Sequence, residues 1–166
     1  MYSFRMEVRL RSNLQVGDIE RIISIHDAVY RQECDFDATF ASYVAEPLKQ
    51  FAASHSLRDR IWLAERGQEL VGCVAIVGVS QLHAQLRWFL VNPAVRGQGL
   101  GRRLLQEAVA FCRECEYQSV FLWTVSELTA AAHLYRAAGF ELVEQNEGEK
   151  WGKHVVEQRY ECRLQL

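Results

Sequence analysis

One run limits the folds open to this chain more than any other. Leu86-Arg87-Trp88-Phe89-Leu90-Val91 passes through Asn92-Pro93-Ala94-Val95 into Arg96-Gly97-Gln98-Gly99-Leu100-Gly101-Arg102-Arg103. A β-rich apolar stretch stops at Asn-Pro, and a glycine-rich turn opens a helix predicted from about Gly99 to Glu116. Leu100, Leu104, Ala108 and Phe111 form one apolar side of that helix. Glycines at 97, 99 and 101 let a ligand approach the backbone with no Cβ in the way. The first helical turn leaves N–H groups unpaired, and the helix dipole adds partial positive charge there. Together these features describe a pyrophosphate site, with Arg96 and Arg102 as charge-assisted contacts at its rim. A Walker A loop does not fit, because Gly101 is followed by Arg102-Arg103 rather than Lys and a hydroxyl residue. A dinucleotide fingerprint does not fit either, since Gly99 and Gly101 are two residues apart where that motif needs three.

The rest of the chain supplies elements around this turn. Phe4, Met6, Val8 and Leu10 alternate with charged residues, the period of a strand with one buried face. Gly17-Asp18 offers a turn and a helix cap, and Ile19, Ile22, Ile23, His26 and Tyr30 follow at helical spacing. Asp37 caps a second predicted helix whose apolar side holds Phe40, Val44, Leu48 and Phe51. Strands are predicted at residues 61–64 and 70–79, joined by a hairpin turn at Arg66-Gly67-Gln68, and at residues 86–91. After the long helix come a strand at 120–125, a helix at 129–138 stopped by Gly139, and strands at 140–144 and 154–164 around a polar loop, Asn146 to Lys153. The reading is α/β: a mixed seven-stranded sheet covered by helices on both faces. Its 166 residues suit one domain spanning residues 1–166.

Several function classes are disfavoured. A net charge of -2 gives no basic footprint for a nucleic-acid partner. No apolar run is long enough to span a membrane, and the N-terminus has no signal-type apolar core. Five scattered cysteines read as reduced thiols of a cytoplasmic protein. Cys112-x-x-Cys115 lies late in a helix without a second pair, so no metal site is expected.

Arg96-x-x-Gly99-x-Gly101 after a strand and Asn-Pro resembles the first signature of the GCN5-related N-acetyltransferase (GNAT) superfamily. Ala131-Ala132-His133-Leu134-Tyr135-Arg136-Ala137-Ala138-Gly139-Phe140 is similar to its second. Tyr30-x-x-Glu33, Asp37-x-x-Phe40, Leu86-Arg87, Leu122-Trp123-Thr124 and Arg159 look like a subgroup found fused behind MarR-type regulators. The resemblance implies a mostly antiparallel sheet that splays between its fourth and fifth strands. It also implies transfer of an acetyl group from acetyl-CoA, the co-substrate, to a primary amine by direct attack in a ternary complex. The coenzyme's phosphates map onto Arg96, Gly97, Gln98, Gly99, Leu100, Gly101 and Arg102. Its pantetheine arm maps onto the backbone of Phe89, Leu90 and Val91, with an N–H near Leu90 as the oxyanion donor.

By the same resemblance Tyr135 is the general acid for the departing thiolate. The family's asparagine seven residues before that tyrosine is Leu128 here, so Thr124, Ser126, Ala131 or backbone groups take over contacts to the arm. Glu33 is the candidate general base, because the first two helices wall the acceptor site. Trp151 is an aromatic candidate for the acceptor entrance. The partner is a small-molecule or peptide amine, and an exposed strand edge offers a homodimer contact. The rival reading is a module that binds acyl-CoA as a sensor without catalysis.

Overall fold

A computed structural model describes residues 7–164. Its elements are β1 (Val8–Arg11), α1 (Asp18–Cys34), α2 (Ala38–Ala53), β2 (Arg60–Arg66), β3 (Glu69–Gly78), β4 (His83–Val91), α3 (Leu100–Glu114), β5 (Ser119–Val125), α4 (Thr129–Ala137), β6 (Glu141–Lys150) and β7 (Lys153–Arg163). The strands form a seven-stranded sheet in the order β1-β2-β3-β4-β5-β7-β6. All pairs are antiparallel except β4 with β5. The expected sheet is therefore present. Phe4 and Met6, assigned to the first strand from sequence, lie outside the described residues.

Layering explains why the central strands read as unbroken apolar runs. Ile61 and Leu63 of β2 pack with Ile22, Leu48 and Phe51 of α1 and α2, whereas Trp62 and Ala64 pack with Leu104, Ala108 and Phe111 of α3. A strand buried on both faces loses its polar alternation. The apolar side of α2 is the one its spacing predicts: Phe40, Val44, Leu48 and Phe51 are all buried. Asp37 caps that helix by accepting the Thr39 N–H at 2.9 Å.

At α1 the cap is Gly17, in a left-handed conformation, and Asp18 is the first helical residue. The Asp18 carboxylate is used instead by Gln15 N–H (2.6 Å) and by Arg11 (2.7 and 2.6 Å). Arg11 also bonds Glu65 at 2.5 Å, tying β1, α1 and β2 together. Burial alone would raise the Asp18 carboxyl, but these hydrogen bonds hold it below its ordinary range.

Two boundaries differ from the sequence reading, and both shape the site. β4 starts at His83, and His83, Ala84 and Gln85 are the residues that pair with β5. Past Gln85 the two strands have no ladder, so the sheet opens along the second half of β4. There β4 bulges against β3 between the pairs Ala75–Arg87 and Cys73–Leu90, with Trp88 at φ 51. The expected polar loop, Asn146 to Lys153, is instead paired strand up to Lys150–Lys153. Trp151 (φ 54) and Gly152 (φ 87) form a two-residue turn of left-handed residues, the geometry that matches strand twist.

Candidate active site

The turn between β4 and α3 is built locally. The Asn92 side chain accepts the Ala94 N–H at 3.0 Å, starting a short 3₁₀ turn at Pro93–Val95 that buries Val95. Gly97 (φ 76) and Gly99 (φ 85) then adopt left-handed backbone, and Gly99 caps α3. Among the described residues, the N–H groups of Gly97, Gln98, Gly99, Leu100, Gly101 and Arg102 donate to no protein acceptor. Gly101 is a close approach: a Cβ there would lie 2.8 Å from Leu134 Cδ1 and 3.4 Å from Phe89 Cζ. The start of α3 is therefore wedged between α4 and β4.

These elements wall a cavity of about 630 Å³ lined by Phe89, Leu90, Val91, Arg96, Gly97, Gly99, Leu100, Gly101, Arg102 and Ala131, with Tyr30 and Glu33 from α1. Its walls differ. Unpaired amides and arginines come from the turn before α3, and apolar side chains with strand backbone come from β4 and α4. The row of N–H donors fits a diphosphate, and the open strand edge fits an extended amide-bearing arm. The backbone direction of β4 follows from one bond: Asn92 N–H donates to Val71 O at 2.8 Å. Antiparallel alternation then turns the Leu90 N–H and C=O toward β3, and those of Val91 and Phe89 toward the gap. The free amides at the opening thus belong to Val91 and Phe89 rather than Leu90. Arg96 Nε donates to Val91 O at 3.3 Å, which agrees with that direction.

A second, smaller cavity of about 100 Å³ lies behind the bulge. Tyr30 and Phe89 line both cavities; His26, Arg87, Thr124 and Tyr135 line only the smaller one. Tyr135 is 5% exposed, with its ring 5.6 Å from that of Phe89. Burial pushes its phenol well above the ordinary value, so it stays protonated and can donate. Trp151 packs at the rim, 4.8 Å from Phe36, 5.1 Å from Phe40 and 5.2 Å from Tyr43. It is half-buried and forms part of this cavity's wall.

Other expected residues sort differently. Gln98 and Ser126 line neither cavity. Gln98 offers its N–H in the turn, while the Ser126 N–H is spent on Val156 O at 2.9 Å. Glu33 lies in the wall of the larger cavity only, ion-paired with Arg96. It sits one turn beyond Tyr30 on α1, and that turn carries it toward Arg96. Sequence reasoning missed Arg87 in the smaller cavity. It also saw His26 only as a member of an apolar helix face.

Within that cavity His26 has a defined state. Its Nδ1 lies 2.8 Å from Ile22 O, so Nδ1 carries the proton and the lone pair is on Nε2. Nε2 is buried and has no protein partner among the described residues. Burial lowers the imidazole from 6.5 to about 4. Between those values the unfolded chain binds a proton that the folded chain refuses, so stability falls as pH drops from 6.5 toward 4. The loss attributable to His26 is about 3 kcal/mol. Thermal unfolding across that range is expected to show it, and His26→Gln to flatten the slope.

Similarity to known proteins agrees with this geometry. Residues 21–140 match the family model described as the Acetyltransferase (GNAT) family. An uncharacterised N-acetyltransferase of Schizosaccharomyces pombe is 30% identical over 123 residues, covering 69% of this chain and 72% of that protein. N-acetyltransferase 8B of Rattus norvegicus is 32% identical over 93 residues, 51% of this chain, and the match spans only 42% of the rat protein. Among solved structures, one from Salmonella typhimurium, described as an acetyltransferase with its cofactor acetyl-CoA, superposes with a TM-score of 0.77 at 19% identity, over 95% of this chain and 94% of that one. With its free amides, splayed strands and matched signatures, the chain belongs to the GNAT acetyltransferase family.

Proposed function

We propose that this protein transfers an acetyl group from acetyl-CoA to a primary amine, with both substrates bound at once. The supporting observation is the meeting of two cavities at Tyr30 and Phe89. The larger suits the coenzyme and the smaller suits an acceptor. In this reading Arg96, Gly97, Gln98, Gly99, Leu100, Gly101 and Arg102 hold the phosphates, mainly through backbone N–H groups. Phe89, Leu90 and Val91 receive the arm, with Ala131 of α4 opposite. A free amide of the bulged strand polarises the thioester carbonyl.

The amine nitrogen attacks that carbonyl carbon and forms the C–N bond as the C–S bond breaks. Tyr135 gives its phenolic proton to the leaving sulfur, and the proton lost by nitrogen restores the phenol through solvent. In this reading His26 Nε2, a neutral lone pair with no protein partner among the described residues, accepts the amine N–H in the smaller cavity. A weak base suffices there, because nitrogen becomes far more acidic once it has added to the carbonyl. Glu33 serves in this scheme by orienting Arg96. The thiols of all five cysteines are free, which supports a reducing compartment, the cytoplasm. No helix among the described residues is long and apolar enough to cross a membrane.

Free-thiol release from acetyl-CoA across a panel of primary amines, paired with calorimetry of coenzyme A, tests the reading. Amine-dependent release at micromolar protein is expected. Tight binding with no release from any amine would instead mark a sensor of acyl-CoA.

A further inference from the structure

The smaller cavity contains a cation with no counter-ion. Arg87 projects into it from β4, and among the described residues no carboxylate lies within ion-pair distance of its guanidinium. Burial works against that charge. The neighbouring ionised groups are already committed: Glu157 of the same cavity to Lys150 at 2.7 Å, and Glu33 of the adjoining one to Arg96. The guanidinium lies over Trp88, with Cζ 4.8 Å from the ring centroid, a cation–π contact that favours this position. A partly buried, unpaired guanidinium is costly unless a ligand supplies the anion.

Two more polar atoms of residues in the same wall, Thr124 Oγ1 and His26 Nε2, lack protein partners among the described residues. The wall of the cavity therefore holds a planar cation and, just beneath its surface, a hydroxyl donor and a neutral lone pair that an entering ligand would uncover. We propose that the acceptor is an amine that also carries a carboxylate, an amino-acid-type substrate whose carboxylate is received by Arg87 and Thr124 while its amine faces His26. This deepens the acetyl-transfer reading and rests on it for the identity of the reaction. The guanidinium fork matches a carboxylate in two parallel hydrogen bonds. A phosphate dianion would call for a second cation, and Lys150 is taken by Glu157. About 100 Å³ holds roughly three waters at about 30 Å³ each, room for the amine and carboxylate ends. The substrate's side chain then lies outward, against Tyr43 and Trp151 at the rim.

The test compares matched amines in the thiol-release assay: phenylalanine, phenylalanine amide and 2-phenylethylamine, with the methionine series in parallel. The acids are expected to exceed their uncharged counterparts in kcat/KM by about tenfold or more, the scale of a charge-assisted hydrogen bond. Arg87→Gln should abolish the preference and leave coenzyme A affinity unchanged, and Arg87→Lys should keep part of it. If Arg87→Gln does not fold, the Lys variant carries the comparison. A second arm titrates N-acetylphenylalanine and its amide onto the coenzyme A-loaded protein, read by tryptophan fluorescence. Preferential binding of the acid with no thiol release from any amine would refute acetyl transfer while supporting the carboxylate site. Equal turnover or binding of acid and amide, or a preference that survives in Arg87→Gln, overturns the proposal.

Discussion

Tyr135→Phe is expected to lower kcat by about 10²–10⁴-fold while changing the dissociation constant of acetyl-CoA less than threefold. The substitution removes one oxygen and keeps the ring, whose contacts with Phe89, Phe140 and Tyr160 (5.6, 6.1 and 5.8 Å) hold it in place. The phenol makes no hydrogen bond to protein among the described residues, so its loss orphans no buried partner and the fold should be unaffected. A thiolate expelled into an apolar site needs a proton, and a phenol kept protonated by burial can supply one. Single-turnover acetyl transfer separates this step from product release. Unchanged turnover would show that the sulfur takes its proton elsewhere.

Gly101→Val is expected to weaken coenzyme A binding by about 10–100-fold, the scale of overpacking a tight contact at about 1–3 kcal/mol. A Cβ at 101 meets Leu134 Cδ1 at 2.8 Å and Val91 Cγ2 at 3.5 Å; the Leu134 tip can swing aside for a Cβ alone, but the two further carbons of valine are expected to push α3 from α4 and β4. That movement displaces the row of donor amides. Gly99→Ala separates sterics from backbone conformation. Open space surrounds a Cβ at 99, yet φ +85 disfavours any side chain, at a cost of about 1–2 kcal/mol. Its effect should fall on stability more than on contact with the ligand. Isothermal calorimetry with coenzyme A, alongside thermal unfolding, reads both effects. Wild-type affinity in Gly101→Val would remove the turn from the binding site.

Local signals made much of this molecule legible. The apolar period of α2 named its buried face residue by residue, and the Asp37 cap set its start. The glycine spacing gave the turn before α3, because left-handed backbone and close approach are properties of single residues. The sequence marks both strands of the β6–β7 hairpin but places a polar loop at Asn146 to Lys153, where the strands in fact pair on to Lys150–Lys153, and the reason is physical. β6 is an edge strand exposed along nearly its whole length and rich in Glu, as edges that must resist further pairing are. With neither face buried, no alternation marks it.

What the sequence determined by itself was the turn, the helices and the succession of elements along the chain, since each depends on chain neighbours, whereas the place of β7 between β5 and β6 is a tertiary outcome. What only tertiary structure decided was which side chains share a cavity. Glu33 met Arg96, 63 residues away, in the wall of the larger cavity. Arg87, His26 and Thr124, on three different elements, came together behind the bulge at Trp88. Contacts between distant elements are set by how packed layers meet, and no periodicity within a single segment encodes that.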